Sequence, residues 1–349
     1  MNICVKCVLP ETFPGVQFHP GNVCNYCYDF ERRRARLEDE RRRSELKFRD
    51  LIGRLHRPGR TESPPYDVVS AYSGGKDSTY ALLVLKRHYG LNVLAVTFDH
   101  GFLSPHAREN IARVTEALAI DHLMLSPNRK AMFHVFRESA ALHLYPAKSL
   151  ERASSICNTC MHLVKSALLR MALEMDIPLM AFGRSPGQEQ VQSSIVKLST
   201  ALVREGQAAL LNALWKIMGK DLTPYLLRKR HYAALEQESK GDNGLCLHAV
   251  HPLAFHEYQE NQLLGEILQL GWMPPADTDP HSTNCLLNAY ANQVHQDQYG
   301  FHPHAFAVAG LVRSGCLSRD AGLAKLAQPV DRAVVDEIKK RLEFEFALQ

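Results

Sequence analysis

The 349-residue sequence predicts an α/β fold: a doubly wound parallel sheet, with a small cysteine-rich module ahead of it and a helical C-terminal region behind it. Three observations lead there. From Tyr66 onward, short apolar runs alternate with segments of helical periodicity, the pattern of parallel strands joined by crossover helices. The apolar run Tyr66–Tyr72 leads directly into Ser73-Gly-Gly-Lys-Asp-Ser78, a strand–glycine loop–helix junction. Two C-x-x-C pairs within residues 1–30, a stretch rich in Pro and Gly and without periodicity, set that stretch apart as a unit of turns.

The elements follow in order. Residues 31–57 are densely charged, with Leu37, Leu46, Leu51, Ile52 and Leu55 spaced for an amphipathic helix. Arg57-Pro-Gly-Arg60 and Ser63-Pro-Pro65 read as a linker. Strand 67–72 precedes a helix at 78–89, strand 92–98 a helix at 106–118, and strand 121–125 a helix at 129–142. A helix over 159–175 then leads to a strand at 178–182. Residues 190–240 read as mostly helical, an insertion or second lobe, and the tail from 255 to 345 as helical with a Pro- and Asp-rich break at 274–280. The expected units are therefore a cysteine module at 1–30, a charged helix and linker at 31–65, a nucleotide-binding α/β domain at 66–189, a helical insertion at 190–250, and completion of the core with a helical region over 251–349.

Composition narrows the class. A hydrophobic content of 46% and a charged content of 22% are those of a globular protein. No apolar run approaches the roughly 18 residues of a membrane span, and no signal-peptide core is visible, so a cytoplasmic protein without membrane contact is expected. A net charge of +4 does not by itself argue for nucleic acid. The arginine runs 32–34 and 41–43, with Arg57 and Arg60, could track RNA phosphates, but interleaved Glu38, Asp39, Glu40 and Glu45 favour a solvated helix with i,i+4 pairs. Nine cysteines, six of them in C-x-x-C pairs, point to metal ligation or redox chemistry rather than secreted disulfides.

The glycine loop is built for a phosphate. Gly74 and Gly75 allow close backbone approach, the following helix start offers unpaired N–H groups, Ser73, Ser78 and Thr79 add hydroxyls, and Lys76 adds charge. A Walker A pattern is absent. Ser73–Ser78 resembles the PP-loop of the ATP pyrophosphatase superfamily, and that resemblance implies a HUP-like sheet and cleavage of ATP between its α and β phosphates. On that reading the N–H groups of Gly74 and Gly75 with Lys76 stabilise the leaving pyrophosphate, and Asp77 holds Mg²⁺. Asp99, ending the second strand, is expected either to reach ribose or adenine or to cap the next helix. At the end of strand 178–182, Gly183 and Arg184 are expected phosphate or substrate contacts. Here Arg184 replaces the histidine of the superfamily's Gly-His-Asn-x-x-Asp-type segment, and no acid follows until Glu189.

Cys4-x-x-Cys7 and Cys24-x-x-Cys27, separated by 16 residues, have the spacing of a closed four-thiolate Zn²⁺ site with a structural role. The alternatives are two disulfides or unliganded thiols. This stretch, together with Gly300-Phe301 through Arg319-Asp320-Ala321, resembles the N-acetyl sugar amidotransferase family, which places such a zinc ribbon ahead of an SGGKDS loop and delivers ammonia.

A second group of cysteines lies downstream. Cys157-Asn-Thr-Cys160 opens a helix whose dipole is expected to prime the thiolates for metal binding or redox attack. With a late cysteine, the pair resembles the iron–sulfur PP-loop tRNA thiolases, in which three cysteines hold a [4Fe–4S] cluster with one iron free of protein ligands. Cys285, which follows the Pro252–Leu264 segment, is the favoured third ligand over Cys246, and Cys316 reads as a buried apolar residue of the last helical stretch. The alternatives for Cys157 and Cys160 are a second zinc completed by His162 or Cys285, or a metal-free persulfide and disulfide pair. Three thiolates serve sulfur delivery and have no use in ammonia transfer. The expectation is therefore an enzyme that adenylates a carbonyl oxygen and replaces it with sulfur, the alternatives being ammonia delivery or a zinc-bearing binding subunit. The acceptor would be an RNA base or a small molecule, a sulfur or ammonia donor protein would be a partner, and the C-terminal helices offer a surface for a homodimer.

Overall fold

The computed structural model describes residues 2–56, 64–240, 246–279 and 282–347; of the expected linker, Arg57–Arg60 and Ser63 lie outside them. The N-terminal module folds as a two-stranded hairpin, β1 (Phe18–His19) and β2 (Val23–Cys24), that runs straight into α1 (Asn25–Leu55). Helix α1 thus begins on the second cysteine pair rather than at residue 31. Its charged first half faces solvent, whereas Phe48, Leu51 and Leu55 are buried and Leu46 is exposed.

A six-stranded sheet forms the centre, in the order β5-β4-β3-β6-β8-β7. Its strands are β3 (Val68–Ala71), β4 (Val93–Phe98), β5 (Asp121–Leu125), β6 (Leu179–Phe182), β7 (Ile195–Lys197) and β8 (His248–Val250). Five strands run parallel, and β7 pairs antiparallel with β8, so the purely parallel sheet expected from sequence carries one antiparallel edge strand. That strand comes from the stretch read as helical. The central strands β3, β4 and β6 are buried almost throughout because both faces are covered. Alternation assigns the faces: Val68, Ala95 and Ala181 point into one core, and the neighbouring Val69, Leu94 and Met180 point into the other.

The helices are α2 (Lys76–Leu83, continued by one π-helical turn to His88), α3 (Pro105–Leu118), α4 (Arg129–Ala141), α5 (Ala147–Leu150), α6 (Ser155–Glu174), α7 (Thr200–Met218), α8 (Lys229–Lys240), α9 (Glu260–Leu268), α10 (Leu287–Tyr299), α11 (Ala305–Arg313), α12 (Arg319–Leu326) and α13 (Arg332–Ala347). Side-chain oxygens cap three crossover helices: Ser104 caps α3, Asn128 caps α4 and Ser154 caps α6. The Ser154 cap starts α6 four residues before the expected 159. A third core unites α4, α6, α7, α10 and α13 beyond the strand ends. A fourth joins the cysteine module to α11 through Leu9, Phe13, Phe301 and Val308. Cys316 lies in the half-buried turn after α11, its Sγ 3.3 Å from Ser314 Oγ, rather than inside a helix. No helix of the described residues is long and apolar enough to cross a membrane.

Candidate active site

The loop Ser73–Ser78 sits at the carboxyl end of β3, held from behind by residues distant in sequence. Gly74 has φ +74°, and a Cβ there would fall 2.4 Å from the Ala107 carbonyl, so only glycine fits. The Gly74 carbonyl accepts a hydrogen bond from Trp272 Nε1 at 2.9 Å. Ser78 Oγ donates to the Gly75 carbonyl at 3.0 Å and lies 3.1 Å from Ser73 Oγ, closing the loop on itself. Helix α2 starts at Lys76 with Gly75 as N-cap and no capping side chain, which leaves its first N–H groups for other acceptors. One of them, Lys76 N–H, donates to Thr283 Oγ1 at 3.0 Å.

Lys76 and Asp77 meet two further residues that sequence reasoning missed. Lys76 Nζ pairs with Glu260, lies 3.4 Å from Tyr258 Oη and 3.8 Å from Asp77 Oδ1. Tyr258 Oη donates to Asp77 Oδ1 at 2.7 Å. Burial works to lower the Lys76 pKa, but Asp77 and Glu260 outweigh it and hold the ammonium above the ordinary lysine value. Burial likewise opposes ionisation of Glu260, and Lys76 overcomes it. The only hint of this pairing was the Pro252–Leu264 segment already noted before Cys285; Thr283 and Trp272 carried no signal.

The neighbouring strand ends divide. A Cβ on Gly183 would fall 2.6 Å from Ser78 Cα, so the end of β6 presses against the first turn of α2. Beyond it Arg184 Nη1 pairs with Glu189 Oε2 at 3.1 Å, and His251 Nε2 stands 3.6 Å from the same oxygen. Lys165, on α6, is drawn down to about 8 by burial and by Arg184, and burial holds His251 near 4. The cluster is basic, with Glu189 as its one carboxylate among these groups. Asp99 behaves otherwise than a nucleotide contact: its buried carboxylate accepts from Gly101 N–H at 3.1 Å and pairs with Arg108 at 2.6 Å. Nor does Asp99 cap the next helix as the alternative expected: Ser104 caps α3, and Asp99 closes the turn at Gly101 and holds Arg108 on that helix.

Cys157, Cys160 and Cys285 converge. All three are half-buried and pack on the third core, beside Phe136, Tyr145 and Tyr225. Each thiol is pushed up by burial, Cys285 to about 12, and Cys160 additionally by its neighbours Cys285 and Cys157. The expected activation by the α6 dipole is thus overridden: in apolar surroundings these groups are protonated thiols unless a cation replaces the protons. Cys160 thus has both other sulfurs in its surroundings, but among the described residues only the N-terminal four cysteines stand close enough together to hold one metal ion. Cys246 takes no part. It precedes β8, at the amino end of a strand whose carboxyl end faces the site, and it lines a separate surface pocket of about 190 Å³ with Lys47, Arg54, Lys197 and His248.

The N-terminal cysteines form a different site. Cys4, Cys7, Cys24 and Cys27 are fully buried, with all four sulfurs within 4.8 Å of one another. The Cys4–Cys27 and Cys7–Cys24 sulfur separations are 3.8 and 3.7 Å. A tetrahedron of thiolates around Zn²⁺ has edges of about 3.8 Å. Hydrogen bonds from Cys27 and Cys7 hold Cys24 well below the ordinary thiol value, while the same contacts and burial push Cys7 and Cys27 up. Arg319 donates to the Cys4 and Cys7 carbonyls at 3.0 Å, and Arg313 Nη1 lies 3.8 Å from Cys7 Sγ, which fastens the module to α11 and α12.

No protein-family model matches the chain. It is 25% identical over 281 residues to an uncharacterized protein of Methanocaldococcus jannaschii, covering 80% of this chain and 79% of that protein. It is 33% identical over 114 residues to the glutamine-hydrolyzing GMP synthase of Pyrobaculum aerophilum, covering 31% of this chain and 21% of the synthase. Among solved structures it is similar to the U34-tRNA thiolase NcsA of Methanococcus maripaludis with its [4Fe–4S] cluster, at TM-score 0.35 and 15% identity over 98% of this chain and 89% of that one. It is also similar to the NH3-dependent NAD synthetase of Campylobacter jejuni, at TM-score 0.31 and 13% identity over 88% and 95% of the two chains.

Proposed function

We propose that the chain is a PP-loop ATP pyrophosphatase that adenylates a carbonyl oxygen of its acceptor and replaces that oxygen with sulfur. One observation carries this reading: the loop that bears Cys285 is hydrogen-bonded to the ATP loop, through Thr283 Oγ1 and Lys76 N–H at 3.0 Å. This contact supports reading the activating half and the thiol half as one site.

In the first step the acceptor's carbonyl oxygen attacks the α-phosphorus, the Pα–O–Pβ bond breaks, and pyrophosphate leaves. The N–H groups of Gly74 and Gly75 and the Lys76 ammonium take up the charge that develops on pyrophosphate. Asp77 holds the Mg²⁺ of the incoming nucleotide once Lys76 turns from Glu260 to phosphate. Arg184, with Lys165 behind it, supplies positive charge for the α-phosphate or an acidic group of the acceptor. In the second step a sulfur nucleophile adds to the activated carbon, and AMP departs with the former carbonyl oxygen. Cys157, Cys160 and Cys285 would hold a [4Fe–4S] cluster, which when bound offers one iron without a protein ligand for sulfur. The four N-terminal cysteines would hold a structural Zn²⁺.

A second reading has support of its own. The 114-residue similarity to a glutamine-hydrolyzing GMP synthase favours nitrogen as the atom delivered. Anaerobically purified protein incubated with Mg·ATP, candidate acceptors and either labelled sulfide or labelled ammonium separates the two. Acceptor-dependent AMP and pyrophosphate with sulfur in the product is expected. Nitrogen in the product would replace this reading with the second, and ATP binding without AMP formation in any extract would support a binding subunit.

A further inference from the structure

Cys285 differs from the other two cysteines in what faces its sulfur. His100 Nε2 lies 3.8 Å from Cys285 Sγ. The other ring nitrogen, Nδ1, stands 3.2 Å from the Phe102 backbone nitrogen. A backbone N–H can only donate, so Nδ1 is the acceptor and Nε2 carries the proton. The ring is 6% exposed and wedged against Phe102 and Phe136, with centroid distances of 6.4 and 5.8 Å, so its orientation is set by packing. Backbone pairing fixes the sulfur as well: Ser104 N–H donates to the Asn284 carbonyl and Leu286 N–H to the Phe102 carbonyl, both at 2.9 Å. Helix α10 starts two residues after Cys285, and the N–H groups of Leu287 and Asn288 approach the sulfur. Cys157 meets only the Ser154 hydroxyl, and Cys160, by contrast, is acted on by burial and the two neighbouring sulfurs.

We propose that His100 is a positioning residue whose Nε2–H donates to the Cys285 thiolate, making Cys285 more electron-poor than Cys160 in the three-cysteine site. The inference rests on Cys157, Cys160 and Cys285 as cluster ligands. A donor to a ligating sulfur withdraws charge from it and raises the reduction potential of the bound cluster. His100 thus gives the site an asymmetry that its three chemically identical ligands lack.

The test compares wild type, His100→Phe, which keeps the ring volume but has no donor, and His100→Gln, which keeps a donor. Redox titration of the anaerobically reconstituted proteins, followed by cluster absorbance, is the first readout. At the wild-type midpoint the reduced-to-oxidised ratio should fall about tenfold in His100→Phe, the worth of a hydrogen bond to a charged group, and stay within about twofold in His100→Gln. An unchanged midpoint in a His100→Phe protein that loads iron normally overturns the inference. Alkylation of the metal-free proteins, with each site quantified by peptide mass spectrometry, is the second readout and does not depend on the cluster. His100→Phe should slow alkylation of Cys285 severalfold and leave Cys157 unchanged; equal Cys285 rates overturn the donor assignment. If wild type takes up no iron, the cluster reading fails while alkylation still decides whether His100 faces the thiolate.

Discussion

The two cysteine sites of this chain obey opposite physical logic. Cys4, Cys7, Cys24 and Cys27 are fully buried, with their sulfurs within 4.8 Å of one another, and spaced like the edges of one tetrahedron. Their surroundings are structural: Arg319 on two carbonyls, Arg313 beside one sulfur, and an aromatic core of Phe13, Phe301 and Phe306. Cys157, Cys160 and Cys285 are only half-buried, come from two distant helix starts, and border the loop built for phosphate. A closed site with four ligands has nothing left to react. On the function proposed above, a three-ligand site beside the glycine loop would have a position to spare. On that reading, ligand count and location, rather than cysteine chemistry as such, would separate a staple from a reaction centre.

The sharpest break of this comparison is Cys24→Ser against Cys160→Ser. The first should lose the module's metal and free residues 1–30, speeding their cleavage in limited proteolysis by more than about tenfold, because a module of that size lacks a core of its own. Cys160→Ser should keep its melting temperature within about 3 °C of wild type and lose activity. Next in size is Lys76→Met, expected to lower AMP formation by about 10²- to 10³-fold with the fold retained. Because it strands the partly buried Glu260, adding Glu260→Gln should restore melting temperature without restoring turnover. A third effect is pH. His251 and His295 are held near 4 by burial, below the ordinary 6.5, so the unfolded chain binds more protons between these values. Their contribution to stability is complete above pH 6.5 and lost as pH falls towards 4. The melting temperature should drop through that window, and His295→Leu, at a ring with neither nitrogen hydrogen-bonded, should shallow the drop. The smallest effect belongs to Thr283→Val. It removes the acceptor of Lys76 N–H at a cost of about 1 kcal/mol, visible in urea titration, and should change Cys285 alkylation more than Cys157 alkylation.

Much of this was legible in the sequence because the signals are local. The apolar run, paired glycines and helix start at 66–79 specify a strand–loop–helix unit without help from elsewhere, and each C-x-x-C pair forms within one turn. What escaped is long-range. Trp272, Tyr258, Glu260 and Thr283 reach the loop from about 180 to 210 residues downstream, and beyond the Pro252–Leu264 segment around Tyr258 and Glu260 nothing marks them. The antiparallel strand β7 is three residues long and borrows its pairing from β8, so no periodicity could reveal it. Asp99 shows the same limit in one residue: its position at a strand end was readable, but its pairing with Arg108 was set by how α3 packs. The burial that pushes the Cys157 and Cys160 thiols up was illegible for a related cause, since it comes from the third core and is a tertiary fact.

The measurement that bears most directly on the contrast is metal analysis with Mössbauer spectroscopy of anaerobically purified wild type and Cys285→Ala. The account predicts about one zinc and four irons per chain in wild type, with a cubane signature, and zinc alone in Cys285→Ala. Two zincs and no iron in wild type, or an intact cluster in Cys285→Ala, would contradict it.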